Sequence, residues 1–382
     1  MAMWPTVPFS AVAAILLVAT ARLFFHLRWV RRLPAGSERT LPVLPRVSVV
    51  VAARDEEARI ETTIRRLLAQ RDVVVDVIAV DDRSTDATGQ ILRRIAEEDA
   101  RLSCLRVETL PDGWLGKCHA CHLGAGRATG DWILFTDADC WMKPDVIARA
   151  LAVATKEGAD HVTLTPGVSP LTAGAGAWHL LFLMSLAGWI AGVNRDRPGR
   201  FLGIGSFNLM RASAYRTSGG YATLRLTVLD DVKLGRLLQR TGHRTRAFIG
   251  GDDVQCHWGT ALSSAIRIME KNYFAAIEFR FAVAVVVGVV GPLGWLVAVV
   301  GPFTGSAAGV GAGLALLSTI GPATAIATRL TWRWRPAVMV PFVVPLMPYA
   351  LLRSAVLTVL RGGVSWRSTF YSLERLRAGR VR

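Results

Sequence analysis

The chain has 382 residues, 52% of them hydrophobic, and a mean hydropathy of +0.35. This is too apolar for an ordinary soluble protein, and the length allows one sizeable domain plus membrane segments. The 45 Lys+Arg against 29 Asp+Glu leave a formal charge of +16, but no basic stretch is interleaved with aromatic residues on a recognisable module, which argues against nucleic-acid binding.

Residues 4–27 are apolar apart from Arg22 and His26 and are long enough to cross a bilayer. Positive charge follows the run at Arg28, Arg31, Arg32 and Arg39 instead of preceding it. That order reads as an anchor, not a cleavable signal peptide, and puts residue 30 onward in the cytoplasm. Residues 31–46 read as a linker.

Apolar runs then alternate with helical patterns, as in a mostly parallel α/β sheet. Strands are expected at 47–52, 73–80, 102–107, 132–136 and 161–165. Helices are expected at 56–70, through Glu98 with Ser84–Asp86 as its cap, and from Pro144. In such sheets the ligand crevice lies at the carboxyl ends of the strands, where Arg54, Asp81, Asp82, Asp137 and Asp139 fall. Asp137 and Asp139, one residue apart past a strand end, are hard oxygen ligands suited to Mg²⁺ or Mn²⁺.

Five cysteines without regular spacing argue against a disulfide scaffold. Cys118-His119-Ala120-Cys121-His122 matches a c-type haem attachment signature. That chemistry requires export, however, and the stretch lies between elements expected in the cytoplasm. Residues on a helix face are the better reading, and likewise for a zinc site at Cys256 and His257.

Residues 178–193 are apolar but short for a span, and are expected at the membrane surface or bordering an acceptor cleft. A short helix is expected from Ala212, a turn at Gly219-Gly220, and a helix opened by Asp230-Asp231 and closed at Gly242. Residues 281–328 hold no charged residue and suit two crossings. Residues 337–360, interrupted by Pro341, Pro345 and Pro348, are expected to be re-entrant or interfacial, with the basic tail 361–382 inside.

The motifs VVVAARDEE, VDDRSTD, GWLGK, FTDAD and VLDDVKLGRLLQRTG, in that order, resemble the inverting family 2 glycosyltransferases with the GT-A fold. The similarity covers residues 47–280 as one catalytic domain. GSFNLMR, SGGY, Lys271-Asn272 and WRSTFYSLERLRAG are similar to membrane enzymes that glycosylate lipids, including hopanoid- and carotenoid-associated ones and, more distantly, ceramide glucosyltransferase.

The resemblance implies roles for particular residues. Ala53, Arg54, Glu56, Asp81 and Asp82 would hold the nucleotide, Lys117 would meet its diphosphate, and Asp137 and Asp139 would hold the metal. Asp231, with Asp230 as the alternative, would be the general base, and Trp189 and Trp258 would border the acceptor. It further implies a nucleotide-sugar donor, expected to be UDP-linked, an isoprenoid-like or sphingolipid-like lipid acceptor, and a multi-pass inner-membrane enzyme. Polymer-making members carry Gln-x-x-Arg-Trp after the acidic pair, whereas Gln255-Cys256-His257-Trp258 lacks the Arg. A processive polysaccharide synthase and a non-catalytic membrane scaffold stand as the alternatives.

Overall fold

The computed structural model describes residues 6–36, 44–169, 172–257, 259–366 and 369–379. Two compact units interleave along the chain. One comprises Met1–Val30, Val168–Ala191 and Trp258–Leu373; the other comprises Arg31–Gly167, Gly192–His257 and Glu374–Arg382. The sequence reading takes 47–280 as one continuous block, but 168–191 and 258–280 cluster with the helices of the first unit.

The second unit is built on an eight-stranded sheet. Its strands are β1 (Arg46–Ala53), β2 (Val74–Asp82), β3 (Leu102–Val107), β4 (Trp132–Asp137), β5 (Cys140–Met142), β6 (His161–Val168), β7 (Asn208–Arg211) and β8 (Thr245–Cys256). Their order is β3-β2-β1-β4-β7-β6-β8-β5. The first four pair in parallel, while β4 with β7, β6 with β7, and β5 with β8 are antiparallel. The parallel strands are near-continuous Val, Ile and Leu runs because both faces are covered. Val49, Val77 and Leu134 are fully buried in one cluster with Ile60, Ile64 and Leu67 of the helix Ile60–Leu68.

At the start of the helix Thr88–Glu98, where capping by Ser84–Asp86 is expected, Asp86 accepts the Thr88 N–H at 2.9 Å. Two local expectations differ from the structure. The helix expected from residue 56 begins at Ile60, because residues 54–59 form a loop in which Asp55 takes a positive φ of 52°. Finally, Cys140 and Cys256 form a disulfide with Cα atoms 4.5 Å apart, whereas Cys104, Cys118 and Cys121 are free. These two cysteines are 116 residues apart, and only the β5–β8 register, Cys140 opposite Cys256, brings them together.

His161 is a satisfied strand residue. Its ring lies 3.1 Å from Thr245 Oγ1 and 2.5 Å from Asn208 Oδ1, so one imidazole ties β6 to both β7 and β8. Burial lowers its pKa to about 4, which keeps the ring neutral at ordinary pH.

The first unit is helical. Five helices are long and apolar enough to cross a membrane: Val7–Leu27, Ala173–Val193, Phe281–Thr304, Ala307–Arg329 and Val340–Leu360. The two crossings expected in 281–328 match the third and fourth. The stretch expected as short, 178–193, is longer than the apolar pattern suggested, because the helix begins at Ala173. Val340–Leu360 also has the length of a span, despite its prolines. Most large exposed apolar side chains lie on these helices, Ile15, Val286, Leu293, Leu314 and Phe342 among them, as expected of surfaces that face lipid.

Within this unit Glu270, on the helix Leu262–Ala276, pairs with Arg353 and with Arg361, the latter at 2.6 Å. Lys271 lies over the Trp366 ring at 3.6 Å. Two further strands, β9 (Gly363–Trp366) and β10 (Thr369–Ser372), pair antiparallel after the last apolar helix.

Replacing Asn208 by Leu would leave one His161 nitrogen without its partner in a dry interior. The expected cost is about 1–3 kcal/mol of stability, read as a lower thermal midpoint of the purified protein; an unchanged midpoint would show that this buried link is dispensable.

Candidate active site

The parallel register decides where the acidic residues go. Ala53 lies opposite Asp81 and Ala52 opposite Asp137, so the ends of β1, β2 and β4 form one edge. Arg54 and Glu56 continue from β1 into the loop. There Glu56 is buried, donates its N–H to Thr88 Oγ1 at 2.8 Å, and lies 3.8 Å from Arg59. The loop is tied to the turn after β2: the Asp55 N–H donates to Ser84 Oγ at 3.1 Å, and Asp55 Oδ1 accepts from the Thr85 N–H at 2.8 Å.

Asp81 and Asp82 are both buried and both paired with arginine. Arg106 meets Asp81 at 2.6 Å, and Arg83 meets Asp82 through two nitrogens at 2.8 and 3.1 Å. Sequence reasoning missed both arginines. Gly116, at the start of the helix Gly116–Arg127, packs so closely on the Asp82 carboxylate that a side chain there would collide.

Lys117 follows in the first turn of that helix. Its ammonium is 2.6 Å from Asp137 Oδ1 and 3.8 Å from Asp230 Oδ2. Burial works against its charge, yet Asp137, Asp230 and Asp231 hold it well above the usual lysine range. The same helix settles the Cys-x-x-Cys-His stretch. Cys118 and Cys121 are buried on its inner face, Cys118 against the Thr227 carbonyl at 3.6 Å, and His122 stacks on Trp114. They act as helix-face packing residues.

Asp230 and Asp231 open the helix Asp230–Arg240, where the helix dipole favours negative charge. Their surroundings differ. Asp230 is 3% exposed and accepts a hydrogen bond from Tyr221 Oη at 3.0 Å. Asp231 is partly exposed and accepts from the Gly205 N–H at 2.6 Å and the Val232 N–H at 2.8 Å. Burial, then the neighbouring Asp230, raise its carboxyl to about 6, while Lys117 pulls the other way.

The loop around Gly203 and Gly205 joins the two acidic groups. The Gly205 carbonyl accepts from the Asp137 N–H at 3.0 Å while its own N–H reaches Asp231. A Cβ on Gly205 would lie 2.6 Å from Asp137 Oδ2, and one on Gly203 would run into the Asp231 carbonyl. Tyr221 and these two glycines are site residues the sequence reading did not single out, although GSFNLMR and SGGY flagged their neighbourhood.

Asp139 is partly exposed, with its carboxylate within 4.8 Å of the Cys140 and Cys256 sulfurs. Because those sulfurs are joined in a disulfide, they are not thiolate ligands. Burial and the charges of Asp137 and Glu56 raise the Asp139 carboxyl well above the usual range. Such crowding of like charge on oxygen donors fits a hard divalent cation, which would relieve the repulsion. The remaining expected residues lie elsewhere: Trp189 is on Ala173–Val193 in the helical unit, and Trp258 is outside the described residues.

A Gly205→Ala substitution would push a methyl group against Asp137. Mn²⁺ affinity of the full chain, measured by calorimetry, is expected to fall roughly 10- to 100-fold, as when supporting partners of a metal site are lost; unchanged affinity would remove Asp137 from the cation site.

Comparison with known proteins agrees with this layout. Residues 48–219 match the model of glycosyl transferase family 2. A 4,4'-diaponeurosporenoate glycosyltransferase of Staphylococcus haemolyticus is 25% identical over 208 residues, which is 51% of this chain and 52% of that protein. The succinoglycan biosynthesis protein ExoO of Rhizobium meliloti is 36% identical over 116 residues, 30% of this chain and 32% of that one. The chain therefore spans about half, or less, of the length of these relatives. A mannosyltransferase of Pyrobaculum calidifontis, solved with GDP-Man and Mn²⁺, superposes with a TM-score of 0.56 at 18% identity, covering 92% of this chain and 99% of that one, and this likeness concerns the fold. Residues 48–219 thus match the glycosyl transferase family 2 model, on a fold like that of the Pyrobaculum enzyme and with acidic residues at the strand ends.

Proposed function

We propose that this chain transfers a single sugar from a nucleotide-sugar donor, a UDP-sugar in the first instance, to a membrane lipid with inversion at the sugar. The observation that carries this reading is the meeting of Asp137, Lys117, Asp230 and Asp231 at the edge where the parallel strands end. The relative named for 4,4'-diaponeurosporenoate supports an apolar acceptor, and the five long apolar helices support a membrane setting. The Arg-rich flanks favour an inner-membrane protein with its catalytic unit in the cytoplasm.

In this reading the residues 53–56, Asp81 and Asp82 receive the nucleotide, and Lys117 places a positive charge against the diphosphate. Asp137 and Asp139 would hold a divalent cation, which when bound would supply further charge neutralisation for the leaving diphosphate. Asp231 is the base. It is the more accessible member of the acidic pair, its oxygens are fixed by two backbone N–H groups, and its raised pKa suits proton acceptance. As the acceptor hydroxyl oxygen bonds to C1 of the sugar, its proton passes to Asp231 and the C1–diphosphate bond breaks. Asp230, buried and bonded to Tyr221, holds Lys117 and the helix start in place.

Asp231→Asn keeps the shape and removes the proton acceptor, so kcat is expected to fall roughly 10²- to 10⁴-fold. A larger loss in Asp230→Asn would transfer the role to that residue. The base works ionised, so wild-type kcat/KM is expected to drop as pH falls through about 6. Lys117→Met would move that limb to higher pH, since Lys117 opposes the upward shift. The acceptor class is tested by incubating membranes with labelled nucleotide sugars and extracting with organic solvent. Label confined to a water-soluble polymer, whatever the donor, would replace the lipid reading with a polysaccharide synthase.

A further inference from the structure

Arg22 has no place in the catalytic scheme, yet it lies within an apolar helix long enough to span the membrane. It stands five residues before the end of that helix, and a charge on a membrane-spanning segment is costly and a candidate mark of function. Among the described residues Arg22 forms no salt bridge, and its side chain lines an open groove of about 670 Å³. The groove is bounded by the helix Val7–Leu27 and, on the other side, by Met184 and Gly188 of Ala173–Val193.

The lining is graded along its length. Ala14, Ile15, Val18 and Ala19 form its apolar part, and Arg22 and His26 follow one turn apart with Leu23 between them. From residue 14 to residue 26 a helix rises about 18 Å, more than half of a bilayer core of about 30 Å. The two helices meet closely at the polar end, where a Cβ on Gly188 would lie 3.3 Å from the His26 ring. In sequence, Arg31 lies five residues after His26 and Gly192 four residues after Gly188.

We infer that this groove is the binding site of the acceptor, and that the acceptor is an anionic lipid whose head carries a hydroxyl beyond its phosphate. The inference rests on the lipid-acceptor reading above. Length and lining suit an acyl or isoprenoid chain laid along Ala14 and Val18. The guanidinium of Arg22 matches a phosphate, which it can meet through two parallel N–H donors, with the His26 ring close by. The hydroxyl follows from the chemistry: a base at Asp231 is needed only when the attacking oxygen arrives with a proton. Snorkelling of Arg22 to the interface would explain the charge alone. It would not explain the small residues that open a groove on the same face.

The test uses the full chain in phosphatidylcholine nanodiscs and two photoactivatable probes with identical acyl chains. One is phosphatidylglycerol, anionic with head-group hydroxyls, and the other is diacylglycerol, neutral with a hydroxyl. Phosphatidylglycerol is expected to label residues 14–26 and 184–188, half-saturating at about one-tenth the concentration of the neutral probe or less, the advantage of one charge-assisted contact. Arg22→Leu should remove that advantage without weakening the neutral probe, and Arg22→Lys should keep part of it. Should Arg22→Leu fail to fold, Ala19→Phe, which fills the groove, should exclude both probes. Equal binding of the two probes, or labelling spread over all five helices, would overturn the proposal. Sugar transfer is scored separately. Transfer to lipid at the wild-type rate in Ala19→Phe would overturn the groove and leave the glycosyltransferase reading standing. Groove labelling without transfer to any lipid by the wild type would overturn the lipid-acceptor reading, and with it the acceptor role of the groove.

Discussion

One ammonium group surrounded by carboxylates holds this site together. Lys117 faces Asp137 at 2.6 Å and Asp230 at 3.8 Å, and Asp231 contributes to its field. Two unit charges 4 Å apart interact by about 4 kcal/mol at an effective dielectric constant near 20, so removing this cation would leave three neighbouring carboxylates, one of them buried, without their counter-charge. Each partner comes from a different element: a strand end, a helix start, and a second helix start more than a hundred residues later. The parallel register of β1, β2 and β4 is what lets them meet, because a slip of one residue would turn Asp137 to the opposite face of the sheet.

The parts of this arrangement that were legible in the sequence are those set by local pattern. An apolar run ending in Asp81-Asp82 or Asp137 announces a buried strand with its acid at the carboxyl end, and β3 appears with the boundaries its pattern gives. Asp230-Asp231 before a periodic stretch announces a helix start. Other parts depend on contacts across long separations. No periodicity reports that Gly205 will offer its carbonyl to Asp137 and its N–H to Asp231, because glycine carries no side chain from which a role could be read. Tyr221 follows two glycines with positive φ, a sign of a tight turn, but its hydroxyl finds Asp230 only through the fold. The Cys140–Cys256 bond is hidden for the same reason: β5 is three residues long and its partner strand is distant in sequence.

The membrane-like unit follows a different logic. Its helices are apolar nearly all round, so they show little preference for one face, and composition announces them while concealing their packing. Polar contacts between helices supply what the apolar pattern cannot. Arg329 donates to the backbone carbonyls of Val30 at 2.9 Å and Leu27 at 3.3 Å, closing the end of the first helix. Ser318 donates to Thr20 at 3.1 Å, and Glu270 is held between two arginines. Small residues do comparable work: Gly301 and Gly309 approach so closely that neither position has room for a side chain.

The interleaving of the two units has a consequence for how the protein is made. The chain enters the sheet-bearing unit at Arg31, leaves it at Val168, returns at Gly192, leaves again at Trp258 and returns at Glu374. A ribosome therefore delivers β1 to β6 before the helix Ala173–Val193, and β7 and β8 only after it. The centre of the sheet stays unfinished while an apolar helix emerges, since β7, which pairs with both β4 and β6, is still to come. The sheet can therefore close only after that helix has left the ribosome, and its first six strands wait on a later part of the chain.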